Sequence, residues 1–72
     1  MRDPDRIDVF CKELATIWRE VPDWRFGQLM VNFLGNYFAE VGRDPFFVED
    51  DDFMKRMKAW MRDDIGIKEI RE

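Results

Sequence analysis

The sequence predicts an all-α fold: a small bundle of three helices over about residues 4–21, 24–41 and 50–65, with an extended aromatic loop at about 45–48. Apolar residues recur at three- and four-residue steps in three separate stretches. Breakers stand between those stretches at Pro22, Gly42 and Pro45. Seven phenylalanines, three tryptophans and one tyrosine give a chain of 72 residues a dense core, since each large ring buries ~150–250 Å². At this length residues 1–72 make a single domain whose core contributes only ~3–5 kcal/mol, so aromatic packing or oligomerisation must supplement it.

In the first helix Asp3 is placed to cap, Pro4 suits the first helical position, and Ile7, Phe10, Cys11, Leu14, Ile17, Trp18 and Val21 form one stripe. Asp8, Lys12, Glu13, Arg19 and Glu20 occupy the opposite face, and Pro22 ends the helix. Cys11 lies on the apolar stripe and reads as a buried, inert thiol.

The second helix follows Asp23 as its cap, with Phe26, Met30, Phe33, Tyr37 and Val41 along one face and Leu29, Leu34 and Phe38 beside it. It reads as the central helix. Gly27, Val31, Gly35 and Ala39 recur at four-residue steps, and a glycine inside a helix costs ~1 kcal/mol against alanine. The stripe therefore predicts a close neighbour: another helix of the same chain, or a second protomer. Gln28, Asn32 and Asn36 form an uncharged amide row alongside it. Gly42 suits a left-handed helix end.

Asp44 and Pro45 force a turn, and Phe46, Phe47 and Val48 favour an extended segment folded under the helices. The third helix starts near Glu49 or Asp50 and ends before Gly66. Phe53, Met54, Met57, Trp60, Met61 and Ile65 make its apolar side. Residues 67–72 either pair briefly with the Phe46 segment or fray.

Several function classes are excluded or disfavoured. With no histidine, the Ser-His-Asp, Cys-His and Cys/His zinc arrangements cannot be built. No catalytic residue and no cofactor is expected. The longest charge-free run, residues 26–39, falls short of the ~20 residues that span a membrane. Net charge is −4 with scattered bases, which argues against direct nucleic-acid binding. One unpaired cysteine and no apolar leader after Met1 point to a cytoplasmic protein.

Asp44, Glu49, Asp50, Asp51 and Asp52 put five acids and no base into nine positions. Counted as a calcium loop from Asp50, the required glycine and glutamate fall on Lys55 and Met61, and consecutive carboxylates on a helix diverge by ~100° each, so no metal is expected. A helix start explains the cluster better, because carboxylates stabilise the positive helix N-terminus by ~0.3–1 kcal/mol each while Lys55, Arg56, Lys58 and Arg62 suit its later turns. Asp51 with Lys55, and Asp52 with Arg56, are spaced for i,i+4 pairs. A third reading makes the cluster a nucleic-acid mimic: residues 44–72 hold nine acids against six bases, whereas residues 1–43 hold seven against six.

The stretches "RDPDRI", "IWREVPDWRFGQLMVNF" and "DPFFVEDDDFMKRM" together resemble a group of short bacterial and prophage-associated hypothetical proteins. These share a Pro-Asp-x-Arg-x-Gly-Gln-Leu core and an Asp-Pro-Phe-aromatic-x-Glu-Asp segment. The resemblance covers about residues 2–58. It implies a small soluble domain of bacterial or prophage origin and brings no catalytic residues with it. Within the shared core, Arg25 and Gln28 are the polar exceptions to an architectural pattern: they either tie down the Phe46 loop, Arg25 by pairing with Asp44, Glu49 or Asp50, or contact an external partner, and the internal role is the one expected.

The expected function is a non-enzymatic protein–protein interaction module, self-associating as a homodimer or binding another protein, with Phe53, Met54, Met57, Trp60 and Met61 as its contact; the alternative is that these side chains complete the small core. The Gly27–Gly35 side of the second helix is the alternative contact. The competing function is an acidic inhibitor of a nucleic-acid-binding protein, acting through residues 44–52.

Overall fold

The Asp3 carboxylate accepts the Asp5 N–H at 2.9 Å, and the Asp3 and Pro4 carbonyls accept the Arg6 and Ile7 N–H groups, so the first helix starts where its sequence signals stand. A computed structural model describes residues 2–67 and shows an all-α bundle of three helices: α1 (Asp5–Arg19), α2 (Phe26–Val41) and α3 (Asp50–Trp60), the last continued by a π turn (Met61–Ile65). The expected helices are present, with α1 and α2 shorter at their ends. Residues 68–72, where a tail pairing was expected, lie outside the described residues.

After α1 the chain turns through Pro22, held by the Trp18 indole Nε1, which donates to the Trp24 carbonyl at 2.8 Å. Asp23 does not cap α2. The helix begins three residues later, and the Gln28 side chain accepts the Arg25 N–H at 2.7 Å, the glutamine half of a capping box. Gln28 is thus an internal capping residue. Gly42 ends α2 at φ 81°, and its N–H donates to the Phe38 carbonyl at 2.8 Å, as the sequence predicts for a left-handed cap.

The central helix is α3, not α2: it packs against both α1 and α2. Its Met54, Met57, Trp60 and the following Met61 join Ile17 of α1 and Leu29, Phe33 and Tyr37 of α2 in the core. Aromatic rings interlock there. Phe33 stands edge-on to Phe53 at 5.1 Å and meets Trp60 at 5.4 Å, and Trp60 reaches Trp24 at 6.2 Å. Asn36 ties α2 to the π turn by donating to Asp64 Oδ2 at 2.9 Å. Gly66, at φ 92°, then closes it. Among the described residues no helix is long and apolar enough to cross a membrane.

Candidate functional site

The methionine stripe expected to form a contact surface lies inside the monomer. Met54, Met57, Trp60 and Met61 are buried and Phe53 is half-buried. The reason is the central place of α3: flanked by α1 and α2, its apolar side is covered by the chain's own helices. Met57 and Met61 have no exposed surface at all, whereas Phe53 keeps part of its own and Met54 borders the groove described below.

The small-residue stripe of α2 behaves in the opposite way. A Cβ built on Gly27 or Gly35 would meet nothing within 4 Å, so among the described residues no neighbouring helix of the same chain covers this stripe. The outward side of α2 carries Gly27, Val31, Gly35, Phe38 and Ala39 with the amides Gln28 and Asn32, and no charge. Val31 is 72% exposed there.

The aromatic loop is also reversed from expectation. The Asp44 carboxylate accepts the Phe46 N–H at 3.0 Å, and the Pro45 carbonyl accepts the Val48 N–H at 3.1 Å. This turn directs Val48 onto the core and throws Phe46 and Phe47 outward, where they are 81% and 85% exposed, ring against ring at 4.8 Å. The Asp-Pro signal predicts the turn, but not which of the three following apolar residues points inward.

Between α1 and α3 lies a groove of about 370 Å³ with Val9, Phe10 and Met54 on its floor. Two ion pairs span it from helix to helix, Arg6 with Asp50 at 2.8 Å and Lys58 with Glu13 at 3.3 Å. Val9, 57% exposed, falls outside the periodic stripe of α1; an apolar residue among Arg6, Asp8 and Glu13 was the available signal for this groove. A second cleft, between α2 and the end of α3, holds only about 120 Å³. That is below the ~300–1,000 Å³ usual for ligand sites.

The acidic cluster sits on the first turn of α3. Glu49 accepts from Arg2 at 2.7 Å, Asp50 pairs with Arg6, and Asp51 Oδ1 accepts the Asp52 N–H. The hydrogen bond from Arg2, then its charge, lowers the Glu49 pKa below the ordinary carboxylate value and raises that of Arg2. The acids expected to hold Arg25 are therefore engaged by the N-terminal arginines or, for Asp44, by the loop itself. Neither Asp51 with Lys55 nor Asp52 with Arg56 closes an ion pair, and Arg56 lies over the Tyr37 ring at 5.5 Å instead. Cys11, expected inside, is exposed, because the apolar stripe of α1 is wider than the strip its neighbours cover. Among the described residues, no group of three His, Cys, Asp or Glu is placed to hold a metal ion.

No family model, no curated protein and no solved structure matches this chain.

Proposed function

We propose that the protein is a non-enzymatic interaction module that works by self-association as a homodimer. The observation that supports this reading is the pair of uncovered aromatic rings at Phe46 and Phe47, left outside a core already closed by Ile17, Leu29, Phe33, Tyr37 and α3. The uncharged outer side of α2 adds to it in a chain that is 39% charged. Soluble monomers rarely leave large contiguous apolar surface uncovered, and such surface marks protein contacts. The acidic-inhibitor alternative draws less support, because Glu49 and Asp50 are matched by Arg2 and Arg6 rather than free to imitate phosphates. Light scattering after size exclusion, at low and high salt, tests the proposal. A mass near twice 8.8 kDa that persists in high salt is expected of apolar association. A chain that stays at the monomer mass at every concentration overturns it.

A further inference from the structure

Resting on that self-association, we infer that the dimer contact is reciprocal: Phe46 and Phe47 of each copy seat in the groove between α1 and α3 of the other. The projecting part is preorganised. Its two rings are stacked edge-on and the turn beneath them is fixed by the Asp44 and Pro45 hydrogen bonds, so little conformational freedom is lost on docking. The receiving part is an apolar trough of about 370 Å³, bounded at its two ends by the Arg6–Asp50 and Glu13–Lys58 pairs.

A chain cannot fill its own groove with its own loop. Only Val48 and Glu49 separate Phe47 from the first residue of α3, and Arg6 and Asp50, which border both the loop and the groove, bridge the mouth between them. A second copy has no such restraint. Projection and trough both border the Arg6–Asp50 pair, so a two-fold axis beside that pair brings each loop to the other copy's trough, the self-complementary arrangement of a closed dimer.

Burial of four exposed phenylalanine rings at ~150–250 Å² each removes roughly 600–1,000 Å², and the narrow troughs add a smaller area, which places the contact at the low end of specific interfaces. Charge agrees with this occupant. The groove rim carries Arg6, Lys55 and Lys58 against Glu13, Asp50 and Asp51, and the arriving loop brings Arg43 and Asp44, one charge of each sign. Lys55 and Arg43 make no ion pair within the described chain, so Lys55 facing Asp44 of the second copy, and Arg43 facing Asp51, are pairs that the two-fold doubles.

The test uses the full chain in three forms: Phe46→Asp/Phe47→Asp on the projection, Val9→Asp in the groove, and Val31→Asp on α2. All four positions are exposed, and thermal melts by circular dichroism check that each variant remains folded. The expected result by size exclusion with light scattering is dimer for the native chain and for Val31→Asp, with dimerisation weakened about tenfold or more in the other two. Mixing the Phe46/Phe47 variant with the Val9 variant is expected to restore part of the dimer, because that pair retains one intact loop facing one intact groove. A native chain that is monomeric throughout overturns both the self-association and this contact. A native dimer that survives the loop and groove substitutions but is lost in Val31→Asp overturns this contact alone and transfers the interface to α2. Loss in the loop and groove variants without recovery on mixing also overturns the reciprocal arrangement.

Discussion

Arg6 and Asp50, separated by 44 residues of sequence, join the first turns of α1 and α3 at 2.8 Å. Arg2 and Glu49 repeat the link one step further out, at 2.7 Å. Both helices present their positive ends here, and two such ends side by side repel. The carboxylates of α3 relieve that repulsion and give the N-terminal arginines of α1 a partner. Both pairs are exposed and screened by solvent, so their main effect is to set where α1 begins relative to α3. The acidic cluster is accounted for as the start of a helix that must accept a second helix beside it.

The Arg2–Glu49 pair carries a pH dependence. Because Arg2 holds Glu49 below its ordinary value of 4.5, the unfolded chain binds its proton more readily than the folded one. The stabilisation is therefore fully present above pH 4.5 and is lost as pH falls through the lower folded-state value. Thermal melts of the native chain and Glu49→Gln across this range are expected to differ at neutral pH and to converge in acid. A gap that persists at the acid end would show that Glu49 acts by packing rather than charge.

Two glycines are expected to respond in opposite directions to the same change. At Gly35 a Cβ meets open space inside a helix, so Gly35→Ala is expected to stabilise by about 0.4–1 kcal/mol. At Gly42 the backbone is left-handed, φ 81°, and Gly42→Ala is expected to destabilise by about 1 kcal/mol. Urea unfolding midpoints measure both. A fall in midpoint for Gly35→Ala would mean that the stripe is covered in solution, which would favour the α2 face as an interface.

The sequence made the helices legible because period and capping are local. Asp3, Pro22 and Gly42 act within a few residues of where they stand. What periodicity does not contain is which apolar face the chain itself covers. Two sides of α2 lack charge in sequence, yet α3 covers only the side with Leu29, Phe33 and Tyr37 and leaves the side with Val31 and Gly35 outside. Phe46 and Phe47 lie outside for a related reason. Their direction is decided by two hydrogen bonds in a four-residue turn, and no neighbouring helix repeats the signal.

That difference between core and surface gives the last prediction. Met57 is fully buried in the core that all three helices share, so Met57→Ala removes buried atoms that surrounding side chains replace only in part. A loss of about 2–5 kcal/mol is expected, a large share of what a 72-residue domain has. Met57→Asp adds a buried carboxylate without a partner and is expected to unfold the chain outright. Circular dichroism separates this from an interface effect: Met57→Asp is expected to lose its helical signal, whereas Phe46→Asp retains the helical signal and the native melting cooperativity. A Met57→Asp chain that stays helical but becomes monomeric would show that α3, rather than the Phe46 loop, forms the contact, and that its apolar side is uncovered in solution.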